Sequence, residues 1–254
     1  ICCPIIYEGK SLGILAVDNI KTKRLLVQSD ISLLMGIAPE IGISVHNSML
    51  LKTKEHQFKS IIQVLAASID ARDPLTAGHS EKVTEYAMGI CRELGLPKEY
   101  EEMIRIASLL HDYGKIGIKD SILMKPGKLD TEERKEIETH AEKTREILEQ
   151  IHFEGNYKEI PDIAGSHHEK VNGSGYPKGL MGEEISLGAR IIAVADFFEA
   201  ITSKRHYRDA MPFDIAFQLL NEEVAEKSYD KKIVDAFIKY YNKKLKTQSN
   251  TLQI

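Results

Sequence analysis

The chain has little cysteine, and what it has is poorly placed for cross-linking or metal binding. Its three cysteines, Cys2, Cys3 and Cys91, form neither a disulfide framework nor a metal-ligand spacing, which suits a reducing cytoplasm. No apolar run approaches the roughly 18 residues that argue for a membrane span, and no secretory signal is visible. Neither sign of charge dominates. The 34 Lys and Arg stand against 38 Asp and Glu, a net charge of −4, which speaks against a nucleic-acid polymer or a membrane surface as partner. Internal repeats and low-complexity tracts are also absent. An anionic ligand would have to be met by a local basic cluster.

The 254 residues are enough for one large domain or a medium domain with a smaller companion, and 43% hydrophobic residues allow a sizeable core. The chain opens at Ile1 directly in an apolar segment, which reads as a fragment with room upstream for a sensor or an anchor. Ile1 to Tyr7 and Leu12 to Asn19 read as two strands around the turn Glu8-Gly9-Lys10-Ser11. Asp30 reads as the N-cap of a helix from Ile31, with Pro39 as a site for a kink. From Lys52 the pattern is helical almost throughout. Helices are expected near 55–72, 79–95, 98–112, 131–151, 158–168, 187–203, 212–226 and 230–246. Asp130 with Glu133 predicts a capping box for the helix at 131. The polar tail after residue 246 reads as a fraying end.

The richest stretch is His167-His168-Glu169-Lys170-Val171-Asn172-Gly173-Ser174-Gly175-Tyr176-Pro177. Adjacent histidines precede a loop that its glycines and proline force to turn. His111-Asp112-Tyr113-Gly114-Lys115 places another histidine beside a carboxylate, and His79 and His140 stand alone on expected helices. Imidazole with carboxylate and no thiolate is the donor set of a hydrolytic metal centre. Helix neighbours diverge by about 100°, so His111 and Asp112 can serve different sides of one site. Asp196 lies among Ile191, Ile192, Val194, Phe197 and Phe198. A carboxylate there must be paired, capped or coordinated, with Arg190 as the alternative partner. His140 taken alone fits a surface or core histidine equally well.

Taken together, His79, His111-Asp112 with Lys115, His140, His167-His168-Glu169, Gly175-Tyr176-Pro177 and Asp196 resemble the HD-GYP family of the HD phosphohydrolase superfamily, over residues 58–245. The resemblance implies a mainly α fold: an HD-type helical bundle with a metal site in its core. The implied activity is metal-dependent hydrolysis of the bacterial second messenger cyclic di-GMP to the linear dinucleotide, with GMP as a further product left open. It implies one metal on His79, His111, Asp112 and Asp196, and another on Asp112, His140, His167 and His168. Iron or manganese suits that mixed set, and ligand type does not exclude zinc or nickel. Some relatives hold a third metal through a Glu one turn before the first His. Leu75 occupies that position, so two ions are expected, with a third as the minority alternative.

By the same resemblance Asp73 lies near the attacking water, and Lys115, Arg205 and Arg208 meet the phosphates. Each has a plainer alternative, as a helix-ending Asp, a helix C-terminal charge or a solvated basic loop. Tyr176 is expected at the site lip, toward substrate or a partner protein. His46, His56, His152 and His206 fall outside the pattern.

Residues 1–51 resemble the C-terminal end of a GAF domain, in Pro4-Ile5-Ile6-Tyr7-Glu8-Gly9-Lys10 and Leu12-Gly13-Ile14-Leu15-Ala16-Val17-Asp18-Asn19. The implied organisation is a partial α/β sensor over 1–51, a helical linker over 52–57, a catalytic domain over 58–246 and a tail over 247–254. A homodimer through the N-terminal helix is expected. Two other readings stay open. One is a module that binds cyclic dinucleotide and a signalling protein with slow or no hydrolysis. The other is an HD phosphohydrolase acting on mononucleotides or another cyclic dinucleotide.

Overall fold

The computed structural model describes residues 1–21, 23–72, 78–204 and 209–251. Contacts divide the chain into two compact units, Ile1–Ile61 and Ile62–Ile254. In the first, β1 (Cys2–Tyr7) and β2 (Lys10–Ala16) pair antiparallel, from Cys2 opposite Ala16 to Tyr7 opposite Lys10. The turn is tighter than the four residues expected. Glu8 and Gly9 both take positive φ, 47° and 77°, the two-residue geometry that follows strand twist.

Helix α1 (Gln28–Arg72) is one helix of 45 residues. It starts three residues earlier than expected. Asp30 lies inside its first turn, and its carboxylate reaches back to accept the Val27 N–H at 2.8 Å. Asp30 thus satisfies a free helix-end donor from within the helix. The helix continues through Pro39. Within the first unit α1 buries Leu34 and Ala38. Gly42 passes so close to β1 that a Cβ there would lie 2.9 Å from the Ile6 carbonyl oxygen. His46 stacks on Tyr7 at 4.1 Å.

The second unit contains the end of α1 and then α2 (His79–Glu93), α3 (Lys98–Leu110), α4 (Asp120–Leu123), α5 (Thr131–Leu148), α6 (Ile160–Gly165), α7 (Leu187–Thr202), α8 (Phe213–Ala225) and α9 (Lys231–Thr251). Its boundaries follow local chemistry. Gly95, at φ 68°, ends α2, and Pro97 precedes α3. The expected box at α5 is present: Asp130 accepts from Glu133 N–H at 2.9 Å, and Glu133 accepts from Asp130 N–H at 2.8 Å.

Several expected helices end early, among them those at 79 and 131, which stop at Glu93 and Leu148. The helix placed over 98–112 stops at Leu110, because the Thr144 hydroxyl occupies the His111 carbonyl at 2.9 Å and a 3-10 turn, Tyr113–Gly117, follows. The helix placed over 158–168 becomes a 3-10 turn, Gly155–Glu159, and the short α6, which Pro161 helps to start.

Helix α7 is the centre of this unit. Ile191, Ile192, Val194, Ala195 and Phe198 are buried around its circumference. A Cβ on Gly188 would meet Ile104 of α3 at 2.6 Å and Ile163 of α6 at 2.9 Å. On its other side Phe198 packs edge-on against Phe237 at 4.7 Å and Tyr86 at 5.8 Å. The unit is thus a helical bundle whose middle helix carries Asp196. No helix of the described residues is long and apolar enough to cross a membrane.

Candidate metal centre

The site is assembled from three helix ends, the start of α2 and the ends of α3 and α6, and from the interiors of α5 and α7. His79 is the first residue of α2. His111 and Asp112 extend the buried face of α3 and are themselves buried. The 3-10 turn then brings Lys115 back, so that its ammonium lies 2.8 Å from Asp112 Oδ2. That turn packs tightly on α5, where a Cβ on Gly114 would lie 2.0 Å from the His140 carbonyl oxygen. His167 and His168 follow α6, and α7 presents Asp196 from the core.

These side chains converge. His79 Nε2 is 3.3 Å from His111 Nε2, and His140 Nε2 is 3.4 Å from His167 Nε2. Asp112 stands between the pairs. Its Oδ2 is 3.7 Å from His79 and 3.5 Å from His111, while its Oδ1 is 3.2 Å from His140 and 3.9 Å from His167. Asp196 touches both groups: Oδ1 is 3.2 Å from His79 Nε2, and Oδ2 is 4.0 Å from His168 Nδ1. Among the described residues the ligand atoms of two groups lie within 4.8 Å of one another, His79-His111-Asp112 and Asp112-His140-His167-His168, with a third, His111-His167-Asp196, overlapping both.

The hydrogen bonds behind the rings decide what the cluster accepts. Nδ1 of His111, His140 and His167 donates to the carbonyl three residues earlier, Ser108, Ile137 and Ala164, at 2.7, 2.6 and 2.6 Å. With Nδ1 protonated, each Nε2 carries a lone pair into the centre. Burial pushes the His111 and His167 imidazoles below their ordinary pKa, and His168 down to about 3. Burial opposes ionisation of Asp112 and Asp196, yet Lys115 and the neighbouring histidines hold Asp112 well below the carboxylate range, and the histidines alone do so for Asp196. Lone pairs and negative charge thus face one another with few donors between them, a donor set that fits cations. His79 answers the same surplus: burial opposes its charge, but Asp196, Glu199 and Asp112 push it up to about 10.

Asp196 is turned to His79 rather than to Arg190, whose guanidinium pairs with Asp230 at 2.8 Å. Tyr176 lies over His168 with ring centroids 4.7 Å apart. Asp73, Leu75, Arg205, His206 and Arg208 lie outside the described residues. His56 and His152 are exposed.

Sequence reasoning missed one buried carboxylate, Glu199, and gave no role to a second, Glu169 of the His-His-Glu motif. Glu199 sits one helical turn beyond Asp196, and its Oε2 is 2.5 Å from His79 Nδ1. The spacing Asp196-x-x-Glu199 within an apolar run was the available signal, since both fall on one helix face. Glu199→Gln is expected to weaken metal affinity about 10- to 100-fold without unfolding the bundle, the usual cost of losing a carboxylate behind a ligating histidine. Chelator competition checks it, and unchanged affinity would remove Glu199 from the site.

The second carboxylate, Glu169, accepts the N–H groups of Lys178 and Leu180 at 2.7 and 3.0 Å and so closes the Gly-rich loop on itself. Gly175 is needed at its crossing, where a Cβ would lie 2.3 Å from Lys170 N.

The family model described as HD domain matches residues 63–233. The 3'3'-cGAMP-specific phosphodiesterase 3 of Vibrio cholerae serotype O1 is 43% identical over 164 residues, 65% of this chain and 35% of that protein. The cyclic di-GMP phosphodiesterase response regulator RpfG of Xanthomonas campestris pv. campestris is 38% identical over 186 residues, 73% of this chain and 48% of that protein. The chain therefore spans less than half the length of either relative. The HD domain of the L. monocytogenes phosphodiesterase PgpH shares the fold, with a TM-score of 0.52 at 18% identity over 70% of this chain and 97% of that domain.

Proposed function

This chain belongs to the HD-domain family, and on that premise we propose that it hydrolyses a phosphodiester bond of a cyclic dinucleotide, with cyclic di-GMP as substrate and the linear dinucleotide as product. The observation that carries this reading is the pair of clusters sharing Asp112, with lone pairs turned inward and Lys115 on the shared carboxylate. We assign one divalent ion to His79, His111, Asp112 and Asp196 and another to Asp112, His140, His167 and His168, iron or manganese by donor type. Ions bound there supply Lewis acidity toward phosphate oxygens and make water acidic enough to attack at neutral pH.

The chain's own groups do the rest. Lys115 is part-buried beside Asp112 and can pair with a phosphate oxygen as the substrate enters. The Tyr176 hydroxyl is held protonated by burial and by Asp112 and Asp196, so it acts as a donor at the lip. On the sequence resemblance, Arg205 and Arg208 meet the second phosphate, and Asp73 orients water.

A second reading has its own support. The relative at 43% identity is named as specific for 3'3'-cGAMP, so that dinucleotide competes with cyclic di-GMP as the substrate. One experiment separates them. Protein purified without oxygen and loaded with Fe(II) or Mn(II) is given each dinucleotide, and the products are read by mass. We expect the linear form from cyclic di-GMP. Exclusive turnover of 3'3'-cGAMP would move the assignment to that substrate. Both dinucleotides left intact by fully loaded protein would end the hydrolytic reading, and tight binding without turnover would favour a signalling module.

We also assign residues 1–51 to the end of a GAF-like sensor, which the hairpin packed on a closing helix supports. A second copy of the chain is the partner we propose for α1, which exposes Leu33, Met35 and Leu51 at 63%, 63% and 67%. Sedimentation at micromolar concentration should give a dimer, and a monomer would count against it.

A further inference from the structure

The last turn of α1 grips two of the segments that carry the metal centre. Arg72 lies there, part-buried, and its guanidinium is spread over one target. One terminal nitrogen donates to the carbonyls of Lys115 and Ile116 at 2.8 and 2.5 Å. The other donates to the Ile118 carbonyl at 2.6 Å and to the Asp120 carboxylate at 2.8 Å. Those carbonyls lie at the end of the 3-10 turn Tyr113–Gly117, where the dipole is negative and the Lys115 carbonyl also accepts the Ile118 N–H at 3.0 Å. A planar fork of donors matches such a set better than a point charge does. The turn begins at Asp112 and carries Lys115. From the other side it is held by the Lys143 ammonium on the Gly117 carbonyl at 3.0 Å and by Thr144 on the Gly114 N–H at 2.8 Å.

Two residues earlier, Asp70 does the corresponding work on α2. One carboxylate oxygen accepts the Gly78 N–H at 3.1 Å, and the other accepts the Ser80 hydroxyl at 2.9 Å. The residue between them is His79. Among the described residues, Asp70 and Arg72 hydrogen-bond groups that flank the cluster and not its ligand side chains.

We propose that Asp70 and Arg72 are positioning residues: one turn of α1 sets where His79 enters the centre and where Lys115 stands against Asp112. The role of Lys115 rests on the functional reading above, whereas the clamps themselves do not. With Arg72 removed, the 3-10 turn keeps its α5 contacts, Lys143 included, but loses one of the two cations at its carboxyl end and the four hydrogen bonds of the guanidinium. Lys115 then samples positions away from Asp112 while the bundle stays folded. With Asp70 removed, the α2 N-terminus frays and His79 is presented less often.

The test uses Arg72→Gln and Asp70→Ala in the full chain, with Arg92→Gln, an exposed arginine on α2, as the matched control. Hydrogen exchange should quicken about tenfold over residues 113–120 in Arg72→Gln and stay unchanged in Arg92→Gln. Turnover of cyclic dinucleotide by Arg72→Gln should fall about tenfold with metal content retained, the scale expected when a reacting group is misplaced. The same change made in a Lys115→Gln background should cost less than about twofold, because its effect runs through Lys115. Asp70→Ala should weaken metal affinity about tenfold by chelator competition, as loss of an outer-shell support does.

Unchanged exchange over 113–120, or an Arg72→Gln loss that is as large without Lys115 as with it, overturns the role given to Arg72. Wild-type metal affinity in Asp70→Ala overturns that of Asp70. If the wild-type protein turns over no cyclic dinucleotide, the functional reading falls alone, and exchange and metal affinity still decide the two clamps.

Discussion

Asp112→Asn is expected to strip the centre of metal and lower cyclic dinucleotide hydrolysis by at least about a thousandfold, or about 4 kcal/mol of transition-state stabilisation. Among the described residues no other side chain is shared so widely. One Asp112 oxygen faces His79 and His111, and the other faces His140 and His167. Asparagine keeps the shape and loses the charge. It also turns one of the two oxygens into an NH2 group, which cannot ligate and aims protons at two lone pairs. Both halves of the proposed centre are therefore damaged by one substitution, whereas a change at His79 or His168 reaches one half directly. Metal analysis after a chelator wash and a turnover assay check it, with the far-UV spectrum as the control for folding. Wild-type metal content in Asp112→Asn would remove the shared-carboxylate reading. Lost turnover with both ions retained would instead make Asp112 a group that handles protons or substrate.

Which parts of this site could be read from the sequence follows from how far each residue acts. The histidines and Asp112 announce themselves because few other chemistries need imidazole beside carboxylate at those spacings. Asp196 stands out because a carboxylate in the run from Arg190 to Phe198 cannot be left unpaired. The capping box at Asp130 and the helix stop at Gly95 are local, so they are legible too. Glu199 lies in the same apolar run as Asp196, yet its partner His79 is 120 positions away. Asp70 and Arg72 look like ordinary helix-surface charges until the fold brings Gly78 and Ile118 to them. The early end of α3 is illegible for the same reason, since Thr144 takes the His111 carbonyl from across the bundle. Periodicity likewise shows where α1 is amphipathic but not that one helix runs unbroken from Gln28 to Arg72.

Gly114 makes the same point in a form that a melting curve can measure. Beside His111-Asp112 it reads as a helix terminator, chosen for backbone freedom. Its φ is not among the positive ones, so freedom is not what it supplies. Its lack of a side chain lets the 3-10 turn lie against α5. A Cβ would come within 2.0 Å of the His140 carbonyl oxygen, 2.5 Å of Thr144 N and 2.8 Å of the Thr144 hydroxyl. Two of those atoms are helix backbone and cannot rotate away, so Gly114→Ala must push the turn and α5 apart. Overpacking of this kind costs about 3 kcal/mol, which for a unit of this size lowers the melting temperature by roughly 6–12 °C. The displaced pieces carry Asp112, Lys115 and His140, so metal affinity should fall with stability. Gly36, in α1, has nothing within 4 Å of its Cβ position, and alanine there should gain about 0.5–1 kcal/mol of helix propensity. Thermal melts of the two variants should therefore move in opposite directions. A Gly114→Ala protein that melts with the wild type and binds metal equally well would mean that the turn does not sit on α5 as closely as the structure places it.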